Sequence, residues 1–203
     1  MRLARLDIKD LTKSLGTPPK KVLDGVSMTL WPGMNCLMGP SGAGKTTLAN
    51  ILAGLMRPDG GSVGAERDGG PVSLCDVRVS CVFQEDRLFG YMSALSNVLY
   101  AARAEKKSLA ANLLKEAGLA DSAHKKAREL SGGMKRRVAI CRALVAECEL
   151  LILDEPFKGL DDELKKNIML MVADAAREKL ALCITHDRDE AAFLGGHLLD
   201  IRG

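Results

Sequence analysis

A glycine-rich segment in the first quarter of the chain has the composition of a phosphate-binding loop. It reads Gly39, Pro40, Ser41, Gly42, Ala43, Gly44, Lys45, Thr46 and Thr47. Glycines at this spacing leave backbone N–H groups free to surround a triphosphate, while the lysine reaches its phosphates and the threonine hydroxyl binds Mg²⁺. An apolar strand before the segment and a helix after it, whose positive end faces the phosphates, would complete the motif. The segment therefore predicts a nucleotide site.

Two adjacent carboxylates end an apolar run in the second half of the chain. Asp154 and Glu155 directly follow Leu150–Leu153. A buried strand ends in charges only where these have partners, so we expect Mg²⁺ and water beside them. Asp154 suits a metal ion shared with Thr46, and Glu155 can polarise the water that attacks a γ-phosphate. His186, after another apolar run, can bind that phosphate or hold Glu155, with a purely structural role as the alternative.

A third segment has the features of a second anion site. Ser131 can cap the helix that follows it, and Gly132 and Gly133 expose the first N–H groups of that helix at its positive end. One compact chain would then hold two half-sites for one nucleotide. We therefore expect a head-to-tail dimer, in which this segment of one copy closes over the nucleotide held by Lys45 of the other. A plain capped helix is the alternative.

Composition limits the other functions that the chain can have. With 203 residues, 47% of them hydrophobic, and a net charge of +3, it fits one globular domain over residues 1–203. The basic clusters at 125–126 and 135–137 are short and lack aromatics, so we interpret them as solvated helix faces and expect no nucleic-acid partner. The six cysteines are scattered, as in a cytosolic protein with reduced thiols. We expect no signal peptide, and no apolar run approaches the roughly 18 residues of a membrane span.

The order of apolar runs predicts an α/β fold. Alternation of apolar and polar residues over the first thirty positions predicts antiparallel strands flanking the core, with a turn at 16–19. Later apolar runs alternate with helical segments, which indicates a mostly parallel sheet. These runs are Cys36–Met38, Val79–Phe83, Leu150–Leu153 and Leu180–Ile184. Helix formers at 97–107 and 108–117, with Gly118 ending the second, predict a helical subdomain of about residues 88–130 inserted in the core.

The predicted sheet also places the polar residues together. In open α/β sheets, ligands bind beyond the carboxyl ends of the strands. Gly39, Gln84, Asp154 and His186 each lie just after a predicted strand. We therefore expect these residues to form a single site.

Taken in order, these segments resemble the nucleotide-binding subunit of an ATP-binding cassette (ABC) transporter over nearly the whole chain. The resemblance implies a P-loop NTPase core in which ATP closes two subunits around two nucleotides and hydrolysis reopens them. It implies that Gln84 senses Mg²⁺ and the membrane subunit, that Leu130–Met134 is the signature segment, and that Asp161 lies in the loop crossing the dimer. His186 would be the switch histidine. Together with the residues above, the implied catalytic set is Glu155, His186 and Gln84, and the Mg²⁺ ligands are Thr46, Gln84 and Asp154.

A narrower resemblance concerns importers. The segments Phe83–Phe89 and Glu155–Phe157, with Met134, are similar to those of the nitrate, taurine and aliphatic sulfonate group. This implies an integral membrane permease, a homodimer or pairing with a second nucleotide-binding subunit, and an extracytoplasmic solute-binding protein. The chain would act at the cytoplasmic face of the membrane, bound through the permease, on nitrate or a sulfonate. Leu15 stands where the family commonly has an aromatic side chain that stacks on adenine, so we expect weaker base selectivity or affinity than usual.

Two other functions compete with transport. A soluble cassette ATPase acting on DNA or ribosomes usually has two cassettes or a long coiled-coil insertion, and this chain has neither. A nucleotide-binding regulator without useful hydrolysis is disfavoured by the presence of Glu155 and His186.

Overall fold

Two sheets and a set of helices make up residues 2–201, the part of the chain described by the computed structural model. The strands are β1 Leu3–Leu15, β2 Lys20–Leu30, β3 Gly33–Met38, β4 Gly60–Arg67, β5 Gly70–Val72, β6 Val79–Val82, β7 Leu150–Asp154, β8 Leu180–Ile184 and β9 His197–Asp200. The helices are α1 Lys45–Leu52, α2 Ala94–Leu99, α3 Lys107–Glu116, α4 Gly132–Val145, α5 Asp162–Ala176 and α6 Arg188–Leu194. Short 3₁₀ turns lie at Leu74–Asp76, Ala104–Lys106, Ala120–Ser122 and Ala127–Glu129.

The parallel sheet has the strand order β6-β7-β8-β3-β9. Every residue of β7 and β8 is buried, as expected for strands covered by other elements on both faces. The predicted strands at β3, β6, β7 and β8 are confirmed. The edge strand β9 was missed, because most of its residues are exposed and it lacks a long apolar run. The α/β class and the parallel sheet are as predicted.

The antiparallel sheet has the order β2-β1-β4-β5. The β1–β2 hairpin pairs Leu6 with Leu30 and Ile8 with Met28, which confirms the predicted N-terminal strands and their turn. Strand β4 was not predicted, because its glycines lower the strand propensity of the segment. Gly61 is required there, since its φ is +80° and a Cβ would overlap the Asp10 carbonyl.

Two hydrophobic cores lie around the parallel sheet. One core lies between one face of the parallel sheet and the antiparallel sheet with α1, and it includes Leu6, Leu48 and Leu182. The other core lies between the opposite face of the parallel sheet, formed by the alternate residues of the same strands, and the helices; it includes Val138 and Leu153. The sheet is therefore held between a β layer and a helical layer, and its carboxyl edge stays open.

Helices α2 and α3 lie between β6 and α4 in the chain and pack against α4. The prediction of a helix over 97–107 is wrong, because α2 covers only Ala94–Leu99. Ser93 starts α2 by accepting a hydrogen bond from the Ser96 N–H. The prediction for 108–117 agrees with α3 within one residue, and Gly118 (φ +67°) follows it. The subdomain boundaries of about 88 and 130 stay a prediction.

The interpretation of the basic cluster 135–137 as a solvated face is wrong for two of its residues. Arg136 and Arg137 are buried, at 7% and 8% exposure. The Arg137 guanidinium donates to the Ala117 carbonyl at 2.6 Å, and that of Arg136 donates to the Phe83 carbonyl at 2.6 Å. These guanidinium groups thus serve as hydrogen-bond donors to backbone carbonyls. Within residues 2–201, no helix is both long and apolar enough to cross a membrane.

Candidate active site

The phosphate loop, residues 39–47, connects β3 to α1 at the carboxyl edge of the parallel sheet. Its glycines adopt conformations that other residues rarely take, with φ of +144° at Gly39, +79° at Gly42 and +90° at Gly44. A Cβ at Gly44 would lie 2.6 Å from the Val22 carbonyl oxygen. The loop is thus held closely under β2, and its last three residues, 45–47, form the first turn of α1.

Lys45 is folded inside the curve of the loop. Its ammonium donates to the carbonyl oxygens of Gly39 at 2.7 Å and Pro40 at 2.8 Å, and the residue is buried. The positive charge therefore lies where the loop would receive phosphate groups.

Asp154 and Thr46 are joined across the site. The Thr46 hydroxyl donates to Asp154 Oδ2 at 2.8 Å, from the start of α1 to the end of β7. Burial raises the pKa of Asp154; Glu155 adds to this effect, while the Thr46 hydrogen bond and Lys45 oppose it. Gln84 and both carboxylates line the same cavity of about 260 Å³, together with the phosphate loop.

This donor set fits Mg²⁺. Asp154, Thr46 and Gln84 offer oxygen ligands, which hard cations prefer. Among residues 2–201, no three His, Cys, Asp or Glu side chains form a metal-binding group. Mg²⁺ is usually held by one or two carboxylates with phosphate and water completing its shell, so the single carboxylate of Asp154 beside a phosphate loop suffices.

Glu155 has a partner on each side of its carboxylate. Oε1 lies 3.5 Å from His186 Nδ1, and Oε2 lies 3.3 Å from Lys158 Nζ. Glu155 has a φ of +47°, a conformation that costs on the order of 1–3 kcal/mol in a residue with a side chain. Its N–H donates to the Ile184 carbonyl at 2.9 Å, which ties it to β8. The strained backbone thus directs the carboxylate toward the phosphate-loop cavity.

The Ser131 segment begins α4 as predicted. Ser131 Oγ accepts a hydrogen bond from the Met134 N–H at 3.3 Å, and Asp161 caps α5 by accepting from the Leu164 N–H at 3.1 Å. A Cβ at Gly133 would lie 3.3 Å from the Gly159 carbonyl, so the two segments are neighbours. In the described part of the chain, the lining of the phosphate-loop cavity includes neither Ser131, Gly132, Gly133 nor Asp161.

A larger cavity of about 990 Å³ lies beside this site, between α6, β3 and β9. It borders Gly39, Pro40 and His186, but Lys45, Asp154 and Glu155 line the smaller cavity. We place the chemistry in the smaller cavity, because the cation, the hydroxyl and both carboxylates meet there.

Known sequences and structures share this arrangement of elements. A family model described as ABC transporter matches residues 23–158. The chain belongs to the ABC transporter family. It is an ATP-binding, ATP-hydrolysing cassette of that family, which confirms the predicted P-loop NTPase fold.

Several import subunits resemble this cassette. It is 40% identical to the taurine import ATP-binding protein TauB of Chromobacterium violaceum, with 87% of this chain and 70% of that protein covered. It is 39% identical to the bicarbonate transport ATP-binding protein CmpD of Synechococcus elongatus, with 96% and 74% covered. The solved dimer of the cassette MJ0796 in a post-hydrolysis state, bound to ADP and Pi, is 28% identical with a TM-score of 0.82, covering 97% of this chain and 94% of that one.

The ABC cassette also has site residues that the sequence did not single out. Val22 of β2 lines the phosphate-loop cavity, and Lys158 contacts Glu155. Arg136 holds the segment after β6, because its guanidinium donates to the Phe83 and Gln84 carbonyls and lies 3.2 Å from Asp86. Only the i,i+3 spacing of Lys158 from Glu155 could have indicated one of these contacts.

Proposed function

We propose that this chain is the ATP-hydrolysing subunit of an ABC importer and works as a dimer on a membrane permease. The observation that carries the proposal is the meeting of Lys45, the Thr46–Asp154 pair and Glu155 in one cavity. A phosphate loop alone binds a nucleotide. A carboxylate beside it, directed by a strained backbone, adds a group that can accept a proton from water.

Each side chain has a role in this proposal. Lys45 and the loop N–H groups bind the β- and γ-phosphates. Glu155 accepts the proton of the attacking water, and His186, 3.5 Å away, keeps the Glu155 carboxylate in place and faces the γ-phosphate. Mg²⁺, when bound by Thr46, Asp154 and Gln84, would neutralise charge on the phosphate oxygens.

The second half of the site comes from another copy or from a second nucleotide-binding subunit. Ser131, Gly132, Gly133 and Asp161 lie at helix starts of one chain without lining its phosphate cavity. Head-to-tail pairing would bring these N–H groups over the neighbouring nucleotide. The dimeric form of the similar MJ0796 cassette supports this pairing.

The permease would bind an aromatic surface near the helical layer. Phe89, Tyr91 and Tyr100 are exposed, and the rings of Phe89 and Tyr100 meet edge-on with centroids 4.9 Å apart. Exposed aromatics of this kind act as anchors in interfaces. Such a contact would place the chain at the cytoplasmic face of the membrane, and we expect a solute-binding protein in the same complex.

The import subunits that are similar to this cassette serve solutes of different chemistry. The relatives include importers of taurine, of aliphatic sulfonates at 42% identity in Nocardia farcinica, and of Fe(3+) ions at 39% identity in Agrobacterium fabrum. Importers of chemically different solutes are thus almost equally identical in sequence to this chain. We keep a small organic sulfonate or an inorganic anion such as nitrate or bicarbonate as the proposed cargo.

Glu155→Gln tests the catalytic part of the proposal. We expect turnover of ATP to fall by about a hundredfold or more, because the proton acceptor is lost while the shape is kept. ATP binding should remain, and ATP with Mg²⁺ should convert the 21.8 kDa monomer into a stable dimer in gel filtration. Glu163→Gln, an exposed neighbour on α5, is the control.

A pull-down from native membranes with tagged Glu155→Gln and ATP tests the partner. A multi-span protein in the eluate supports import. Recovery of ribosomes or DNA without any membrane protein would instead favour a soluble mechanical ATPase. In the turnover test, a Glu155→Gln protein that stays monomeric and hydrolyses ATP at the normal rate would refute the catalytic assignment.

A further inference from the structure

Four polar and charged side chains surround the chain segment that carries His186, and the mechanism above gives them no role. They belong to α5 and to the segment that joins β8 to α6. Lys165 Nζ lies 2.6 Å from Glu190 Oε1 and 3.2 Å from Asp187 Oδ2. Thr185 Oγ1 donates to Glu190 Oε2 at 2.5 Å. Lys165 therefore joins α5 directly to Asp187 and Glu190, which follow the histidine, and through Glu190 to Thr185, which precedes it.

Three of these four side chains are largely shielded from water. Thr185 is 1% exposed and Glu190 is 7% exposed, while the Lys165 side chain is 21% exposed. Burial by itself would lower the pKa of Lys165, but hydrogen bonds to Glu190 and Asp187 outweigh it and raise that pKa. A buried carboxylate that loses its cation is strongly disfavoured, so Glu190 and Lys165 hold each other in place.

The same cluster fixes the main chain on either side of His186. The Asp187 N–H donates to Thr185 Oγ1 at 3.1 Å, and Asp187 Oδ1 accepts from the Asp189 N–H at 2.8 Å. The His186 ring itself is 68% exposed, and its Nδ1 lies 3.5 Å from Glu155 Oε1. The direction of this ring therefore depends on its neighbours in the chain, which are anchored to Lys165.

We propose that Lys165 is a positioning residue for His186 and, through it, for Glu155. Lys165 also lies in the first turn of α5, where its N–H donates to the Asp161 carbonyl at 2.8 Å. A shift of the segment before α5 is thereby transmitted to the histidine. This inference rests on the proposed role of His186 in ATP hydrolysis.

Histidine NMR tests the positioning directly and without turnover. The chain has only three histidines, so ¹³C,¹⁵N-histidine labelling gives few ring signals, and His186→Ala assigns one of them. In Lys165→Met we expect the His186 ring signals to shift or broaden and those of His124 to stay unchanged. Lys165→Arg, which keeps the charge, should resemble the wild type, as should Lys166→Met, an exposed neighbour on α5.

A double-mutant cycle tests the consequence for catalysis. Lys165→Met should lower kcat roughly tenfold with less than about a twofold change in KM for ATP, since the phosphate loop is untouched. In a His186→Ala background the same change should alter kcat by less than about twofold, because a positioning residue has nothing left to position. Lys165→Arg should restore most of kcat.

The outcomes separate this inference from the proposed function. An unchanged His186 spectrum in Lys165→Met, or equal losses of kcat with and without His186, overturns the inference alone. Full activity of His186→Ala overturns both the role of His186 and the inference. If Lys165→Met does not fold, Glu190→Gln weakens the same ion pair from the other side with little change in size, and the same spectral change is expected.

Discussion

At the scale of single residues, the site depends on backbone conformations that only certain residues tolerate. Glu155 is held at a φ of +47° between a buried strand and the buried Phe157. The sequence predicted Glu155 from its position after an apolar run. The strained backbone is held by the hydrogen bond from the Glu155 N–H to the Ile184 carbonyl, which belongs to a strand that follows much later in the chain.

Gly44→Ala and Gly42→Ala form a matched pair within the phosphate loop. Both glycines have a positive φ, so alanine costs roughly 1–2 kcal/mol at either position. At Gly44 the new Cβ would also lie 2.6 Å from the Val22 carbonyl, whereas at Gly42 nothing lies within 4 Å. We expect Gly44→Ala to lower the free energy of unfolding by clearly more than Gly42→Ala in urea titrations. Equal losses would contradict the close contact with β2.

Asp187→Asn tests the electrostatics beside His186. The hydrogen bond from Lys165 lowers the pKa of Asp187, against the opposing effect of its burial. A carboxyl with a lowered pKa in the folded state contributes stability above its unfolded pKa and loses it as the pH falls through the folded pKa. The side chain is partly exposed, so we expect a loss of about 0.5–1 kcal/mol near neutral pH.

This difference from the wild type should disappear in acid. Below about pH 4 an unfolded aspartate is protonated, and the wild-type advantage declines as the folded carboxyl also binds its proton. Urea unfolding at a series of pH values measures the effect. Asp174→Asn, on an exposed part of α5, is the control. A difference that persists at low pH would mean that the ion pair is not its source.

At the scale of elements, the two sheets are joined by a buried ion pair. Arg67, at the end of β4, holds Glu149, just before β7, through two contacts of 2.7 and 2.9 Å. Glu149 is 3% exposed, yet Arg67 and the Arg78 N–H hold its pKa below the usual range against the effect of burial. The pair fixes the antiparallel sheet relative to the strand that ends in Asp154.

Arg67→Met should therefore destabilise the fold strongly. It leaves the buried Glu149 carboxylate without its main cation, and removing one partner of a buried ion pair is strongly destabilising, so we expect a clear loss in the free energy of unfolding. The double variant Arg67→Met with Glu149→Leu should recover most of the loss, because an apolar pair of similar volume replaces the charges. Chemical denaturation of the three proteins measures this. Additive losses in the double variant would argue against the pair.

At the scale of the whole molecule, the distribution of site residues predicts that activity is shared between subunits. Lys45 and Ser131 belong to different regions of one chain, and Ser131 does not line the phosphate-loop cavity described in residues 2–201. Lys45→Ala and Ser131→Arg should each be inactive alone. In a mixed dimer, one site would combine the intact Lys45 of one chain with the intact Ser131 of the other.

An equal mixture of the two inactive variants should therefore regain ATPase activity. If subunits pair at random and sites act independently, about a quarter of the wild-type rate is expected. The control is a mixture of the single variant Lys45→Ala with a double variant that carries both Lys45→Ala and Ser131→Arg. It should stay inactive, because no chain in it has an intact Lys45. Absence of any recovery, with mixed dimers present by mass spectrometry, would contradict a site formed between chains.

The sequence by itself determined the phosphate loop, the acidic strand end, the Ser131 cap and the central strands. Each of these depends on neighbouring residues: glycine spacing, an apolar run followed by charges, or a capping side chain before a helix. Local pattern was therefore enough to place them and to indicate the family.

Only the tertiary structure decided which distant groups meet. The burial of Arg136, the contact of Arg67 with Glu149 and the anchoring of the His186 segment by Lys165 join residues that are far apart in the chain. A lysine or arginine looks the same in sequence whether it is solvated or buried against a carboxylate. Its partner is set by how helices and sheets pack, because the energy of a buried charge depends on what surrounds it in space and not on its neighbours in the chain.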